Sequence, residues 1–487
     1  MTRLRWLTVL CVFALVAGAC SRDKESTDAG DTNTPTSGST ETSGGGDADA
    51  AGLDQGGFGD LGVLCSEAPA DEPNAATGDV GVTADSIQVS TFSDPGFSGR
   101  LGLNQELFDT ADAFTSWCNE HGGIHGRQIE LKKRDAKLTE FQQRVIEACD
   151  EGDFMMIGGG NVLDDTGQTD RLGCATGAVP QIPGYVVTPQ AAESDLTQQP
   201  VPNTGDEQPV GGFNYLAEKF PDTKDAIGIF TGDIQTTITV ADRNKEALQI
   251  LGGYNIVYEG KYNPLGETSW RTYIEAMRSA GVKGLVYVGE PSNLAAFLTE
   301  AQSVGMTFDW VWSAANIYDP AIENEAGAAA DNLYVTTGFY PFGGDLAKGN
   351  EATQQYLDLI DQYSDNGKVA NLGLQAMSAW LLFAKATGEC GADVTRDCVW
   401  EKAKAIKEWT GGGLNAPQDL SAGTASDCGA LLDVKGGKFE LTDIGANEGI
   451  YLCDPANIVT LKNDYGSGVT CPNPAFADDP KPSNCAG

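Results

Sequence analysis

The sequence predicts an α/β protein whose sheets are mainly parallel and covered by helices on both faces. Three observations carry this. Short, almost continuous apolar runs recur along the chain after about residue 80; buried parallel strands read this way because both of their faces are covered. Between the runs lie longer stretches in which apolar residues return every three or four positions, the period of a helix with one packed face. The chain has 487 residues, more than one hydrophobic core of roughly 250 to 300 residues can serve, so two lobes are expected.

The chain opens with Arg3 and Arg5 ahead of "WLTVLCVFALVAGA", a positive region followed by an apolar stretch too short for a comfortable membrane span, as in an export signal. Small residues, Ala17, Gly18 and Ala19, stand directly before Cys20, and "VAGAC" resembles the lipobox of bacterial lipoproteins. The resemblance implies removal of residues 1–19 and lipidation of Cys20. The alternative is an ordinary signal peptide cleaved after Ala19, releasing a soluble protein. Residues 20–60 follow as a Ser-, Thr-, Gly- and Asp-rich segment, too polar to bury a core and expected to act as a disordered tether.

With 31 Lys and Arg against 69 Asp and Glu, the formal net charge is -38. Such a surface repels phosphate backbones, so no nucleic acid is expected as a partner. Of twelve cysteines, setting aside Cys11 in the signal and Cys20 leaves ten, an even number suited to an oxidising compartment. Local pairing suggests Cys65–Cys118, Cys149–Cys174, Cys390–Cys398, Cys428–Cys453 and Cys471–Cys485, although spacing alone does not fix connectivity.

Strands are expected at 86–92, 128–133, 154–158, 226–230, 255–262, 284–289 and 310–313. One helix gathers Leu103, Leu107, Ala111, Phe114 and Cys118 on a face. Another opens at Pro291, a residue suited to the first helical position, and gathers Leu294, Phe297, Leu298, Ala301 and Val304. A passage between lobes is expected near 220–230, where a fresh strand series begins, and a return near 340–350.

The stretch "EHGGIHGRQIEL" (120–131) holds both histidines, His121 and His125. Gly122 and Gly123 between them supply the left-handed conformation that closes a helix, and a histidine in the last turn suits the negative end of the helix dipole. A metal pair at i and i+4 needs an unbroken helix, so neither metal nor catalysis is expected here.

"AFTSWCNEHGGIHGRQIELKKRDA" resembles the GGI-x-GR-x-IEL segment, with a following aspartate, of the solute-binding proteins that serve branched-chain amino acid ABC transporters. The resemblance continues through "FMMIGGGNVLDDTG", "VPQIPGYVVTPQ", "AIGIFTGD" and "GLVYVGEPSNLAAFLTEAQSVGM", covering about 85 to 345. It implies the type I periplasmic-binding-protein fold, two Rossmann-like lobes with parallel sheets joined by a three-segment hinge. Lobe 1 would comprise 61–221 with about 346–430, and lobe 2 would comprise 222–345 with about 431–487. The implied role is capture of a small polar solute, such as an amino acid or amide, by an exported monomer anchored through lipid to the outer face of the bacterial cytoplasmic membrane, and delivery to an ABC transporter permease.

In open α/β sheets a ligand lies beyond the carboxyl ends of the strands. The loops placed there supply the candidate ligand-binding residues: Ser93 and Phe97 after the first strand; Gly160 and Asn161 in "GGNV"; Thr188 after "GYVV"; then Thr236, Tyr262, Glu290 and Asn316 in the second lobe. Gly159 and Gly160 would turn backbone N–H groups toward a carboxylate or other polar head, or simply form a tight turn. Glu290, at a strand end before Pro291, would meet an ammonium group, or serve only the helix dipole. Relatives binding aliphatic amino acids place a Ser/Thr pair and a tyrosine where this chain has Asn161, Thr188 and Thr236, and an acid after the proline where this chain has Ser292.

No G-x-S-x-G elbow, P-loop or H-E-x-x-H is present, and "GGGNVL" has Leu163 where a dinucleotide motif needs glycine. No enzyme, metal or cofactor is therefore expected. The other readings are a sensing surface lipoprotein of the same fold without transport and a secreted hydrolase using a pair of its many carboxylates.

Overall fold

The computed structural model describes residues 52–471. The signal region, Cys20 and Cys485 lie outside them. Among the described residues no helix is long and apolar enough to cross a membrane.

The first sheet holds β1 (Ser86–Ser93), β2 (Gln128–Asp135), β3 (Met156–Ile157) and β4 (Gln181–Ile182), all parallel, in the order β2-β1-β3-β4. Next come β5 (Glu207–Pro209), β6 (Ile227–Gly232), β7 (Ile256–Tyr262), β8 (Gly284–Val288), β9 (Trp310–Ser313), β10 (Leu333–Thr337), β11 (Cys428–Lys435), β12 (Lys438–Leu441), β13 (Leu452–Cys453) and β14 (Ile458–Thr460). The second sheet runs β12-β11-β10-β9-β8-β6-β7, with β13 beside β11. Its five strands from β6 to β10 are parallel, whereas β11 returns antiparallel to β10. All residues of β6 and β8 are buried, as expected of parallel strands with helices on both faces. The chain is thus α/β with two lobes.

Lobe 1 is completed by chain that returns late. Helix Asn371–Gly388 buries Trp380 against Phe114 of helix Gln105–Glu120, ring centroids 5.5 Å apart. Helices Glu351–Tyr363 and Arg396–Lys404 start at Asn350 and Thr395, whose side chains accept from the N–H of Thr353 (2.8 Å) and Cys398 (3.1 Å). Such caps satisfy donors that a helix start leaves free.

Several boundaries differ from expectation. The ordered body begins before residue 60: Phe58 is wholly buried in the lobe 1 core, and short turns Leu53–Gln55 and Gly59–Leu61 precede Cys65. Phe58, Leu61 and Leu64 supply a burial gain that the earlier tether sequence lacks. Helix Gly211–Lys219 belongs to lobe 2, since Phe213 packs on Trp312 at 4.3 Å between centroids. The first crossover therefore precedes residue 211, where β5 pairs with β14, and not the break expected near 221. Phe339 bridges Asn415, and β11 carries the chain back into the second sheet from Cys428. Residues 184–187 ("GYVV") form no strand, because β4 ends at Ile182. Leu103 is buried but precedes the first turn of its helix.

Between described residues the disulfides Cys65–Cys118, Cys149–Cys174, Cys390–Cys398 and Cys428–Cys453 are formed, and the expected Cys471–Cys485 pair reaches outside them. In the histidine segment, Gly122 and Gly123 have φ of 97° and 79°, the left-handed values that end the helix. A Cβ at Gly123 would stand 2.1 Å from the Arg127 carbonyl oxygen, so the turn excludes any other residue there. Arg127 is fully buried and gives hydrogen bonds to the carbonyls of Thr83, Gly391, Ala75 and Ala392. His121 Nδ1 lies 2.8 Å from the Trp117 carbonyl, and His125 Nδ1 lies 3.0 Å from Asn74 Oδ1. The segment is a structural clasp, and no metal-holding cluster occurs among the described residues.

Candidate functional site

A cleft of about 600 Å³ lies between the lobes at the carboxyl ends of the strands, where open α/β sheets bind ligands. Lobe 1 contributes residues 100–104 after β1, residues 183–187 after β4, and Lys368 and Gln375 from the returning chain. Lobe 2 contributes residues 287–292 after β8, residues 312–316 after β9, and Asp319. Val186, Val187, Pro200, Val201, Pro202 and Trp312 give the cleft a broad apolar wall.

Of the nine residues expected to bind ligand, Glu290 and Asn316 line the cleft. Asn316 Nδ2 donates to the Gly289 carbonyl at 2.9 Å. Glu290 stands at the start of helix Pro291–Ser303 but makes no capping bond. Its Oε2 lies 3.3 Å from Arg100 Nη1, while Arg100 Nη2 donates to Asn293 Oδ1 at 3.0 Å. One guanidinium of lobe 1 thus holds two side chains of lobe 2. Withdrawal from water raises the Glu290 pKa, with Arg100 pulling it back.

The other seven are engaged elsewhere. Ser93 is buried and donates to the Asn104 carbonyl at 2.7 Å. Phe97 lies half-buried in the turn after β1, its N–H on the Asp94 carbonyl. Gly160 gives its N–H to the Phe92 carbonyl at 3.1 Å, and a Cβ there would meet the Tyr185 ring at 2.4 Å. Its role is to leave room for that ring. Asn161 donates to Asp94 Oδ1 and accepts from the Leu163 N–H, both at 2.7 Å. Thr188 caps helix Pro189–Ala192, its oxygen 3.1 Å from the Ala191 nitrogen. Thr236 is buried, whereas its neighbour Thr237 reaches the cleft. Tyr262 sits in the lobe 2 core, its hydroxyl 2.6 Å from that of Tyr287.

A second ionic group lies across the cleft. Lys368 Nζ is 3.0 Å from Glu106 Oε2 in lobe 1 and 2.8 Å from Asp319 Oδ2 in lobe 2. Burial opposes the lysine's charge, but the two carboxylates more than reverse this and hold its pKa above the ordinary value. Burial raises the Glu106 pKa, against the pull of Lys368. Tyr185 accepts from Asn104 Nδ2 at 3.1 Å, Asn104 being held at φ 53°. Tyr287, which lines the cleft, donates to the Glu290 carbonyl at 3.0 Å.

Arg100, Tyr185, Tyr287 and Lys368 are the site residues that sequence reasoning missed. Arg100 closely follows Ser93 and Phe97 after the first strand, and that position beside the candidate loop was the available signal. Tyr185 was concealed within a run read as strand. Nothing in sequence marks Lys368, which precedes a helix of the returning chain.

Residues 97–438, more than half of the chain, match a family model described as periplasmic binding protein. A fatty acid ABC transporter substrate-binding protein from Thermomonospora curvata is similar in fold, with TM-score 0.63 and 15% identity over 79% of this chain and 99% of that one. A branched-chain amino acid ABC transporter structure from Thermus thermophilus with bound valine gives TM-score 0.61 and 17% identity, covering 77% and 98%. LivJ from Streptococcus pneumoniae in complex with isoleucine gives 0.59 and 15%, covering 74% and 99%. No protein of curated function matches the sequence.

Proposed function

From the premise that the chain belongs to the periplasmic binding protein family, we propose that it is an extracytoplasmic solute-binding lipoprotein that captures a small polar solute, an amino acid, amide or related compound, and delivers it to an ABC importer. Cys20 would carry the lipid anchor, and the tether after it would let a monomeric body reach the permease.

The observation that carries this reading is the cleft itself: about 600 Å³, walled by both lobes, with polar groups of each lobe converging on it. A solute that touches both lobes only when they are closed shifts the population toward closure by its differential affinity. Arg100 on one lobe and Glu290 with Asn293 on the other are the groups through which such a solute would be sensed.

The test is a thermal-shift or native mass spectrometry screen of the purified protein against amino acids, amides, ureas and short carboxylates. A ligand at 100 times its Kd should add about 2.7 kcal/mol to stability. If no solute raised the melting temperature and a hydrolytic assay showed turnover that vanished on mutating an acidic pair, the reading would be wrong. Glu290→Ala should weaken binding of an ammonium-bearing solute while leaving the fold intact; unchanged affinity would remove Glu290 from the site.

A further inference from the structure

A cleft that holds an α-amino acid must satisfy a carboxylate as well as an ammonium. The positions on lobe 1 best placed for a carboxylate are the N–H groups of the loops after the strands. In this protein several of them are given to the chain's own acceptors. Asp164 takes the N–H of Val187 at 2.6 Å and of Thr188 at 3.1 Å. Asp94 takes the N–H of Leu138 and the amide of Asn161, both at 2.7 Å. The N–H of Gly160 goes to Phe92, that of Leu163 to Asn161, and that of Gly184 to Gly159.

The charges facing the cleft point the same way. Three cations, Arg100, Arg243 and Lys368, stand against four carboxylates, Glu106, Glu290, Asp319 and Glu325, leaving one net negative charge. Arg243 is spent on the carbonyls of Thr204 and Glu207, Lys368 already serves two acids, and Arg100 reaches Glu290 through one of its oxygens, Oε2, and Asn293. Gln375, in the cleft wall, has a buried Oε1 with no hydrogen-bond partner. A buried acceptor without a donor costs free energy until a donor reaches it.

We propose that the ligand is a cationic solute without a carboxylate, a primary amine or amidine whose N–H donors meet Glu290 and Gln375 and whose apolar body lies along Val186, Val201 and Trp312. Asp94 and Asp164 disfavour a carboxylate by occupying several of the donors it could use. The inference rests on the solute-capture reading and narrows its ligand class.

The test uses matched probes on the intact protein: 3-methylbutylamine, leucine and 4-methylpentanoate, which share one branched body, and 4-phenylbutylamine with 4-phenylbutanoate as a larger pair. Calorimetric titration should show at least one amine binding about tenfold or more tighter than its acid and than leucine, since reversing the ligand's charge beside the carboxylates of the cleft is worth about that. Glu290→Gln and Gln375→Met, both close in shape to the originals, should each weaken the amine several-fold with an unchanged circular dichroism spectrum. Leucine or either acid binding as tightly as its amine would overturn the proposal while leaving solute capture standing. So would failure of both amines when another solute of the wider screen binds. Failure of every solute in both experiments would instead overturn the capture reading itself.

Discussion

Gly160→Ala separates two uses of a glycine that packs against Tyr185, a residue of the cleft wall. If Gly160 serves by presenting its N–H, alanine keeps that group and binding should not change. The structure assigns the glycine to the space beside Tyr185 instead. A Cβ at 160 would stand 2.4, 2.5 and 2.8 Å from three ring carbons, whereas comfortable carbon contacts begin near 3.5 Å. The ring must retreat by about 1 Å, which stretches its 3.1 Å hydrogen bond from Asn104 to about 4 Å and out of bonding range. Overpacking of this kind costs about 1–3 kcal/mol and the lost hydrogen bond about 1 kcal/mol, so the variant should lose about 2–4 kcal/mol. Urea denaturation measures the loss. Because Tyr185 also lines the cleft, ligand affinity should fall as well. In a Tyr185→Ala background the cost of Gly160→Ala should shrink sharply, since the clashing ring is gone. A variant within 0.5 kcal/mol of the parent, or the same cost in both backgrounds, would refute the assignment.

Replacing Cys65 and Cys118 by alanine frees a loop with a sequence separation of 53 and should cost about 4 kcal/mol by loop-entropy arithmetic, read from the denaturation midpoint. Arg127→Met removes a buried charged donor from the carbonyls of Thr83, Ala75, Gly391 and Ala392 and should cost about 2–3 kcal/mol, which would distinguish the clasp from a surface feature. Burial pushes Asp94 up to about 7, while an unfolded aspartate ionises near 3.9. Between about pH 4 and pH 7 the unfolded chain releases a proton that the folded chain retains, so stability falls as pH rises through that window and levels above it. Asp94→Asn should reduce this slope, as followed by urea midpoints at several pH values; an unchanged slope would mean that Asp94 is ionised throughout.

The alternation of strands and helices, the glycine-closed helix end after residue 120 and the local disulfides were legible in sequence because each depends on residues close together along the chain. The apolar period reports which face of an element is buried, and paired glycines report a backbone conformation that few other residues adopt. The strands from β1 to β3 and from β6 to β9 followed from such signals. Two-residue β4 and the antiparallel return of β11 did not, being held by pairing with strands distant in sequence.

Sequence by itself determined that this is an acidic, two-lobed α/β chain and pointed to the loops at the strand ends, which line the cleft. Only the tertiary structure decided which side chains occupy that region. Arg100 meets a carboxylate 190 positions away, Lys368 joins Glu106 to Asp319, and the loops expected to greet a ligand turn several of their donors onto Asp94 and Asp164. A strand's period fixes where its loop begins. It says nothing of which buried group beyond that loop will claim each donor, because that competition is settled by packing among segments hundreds of residues apart.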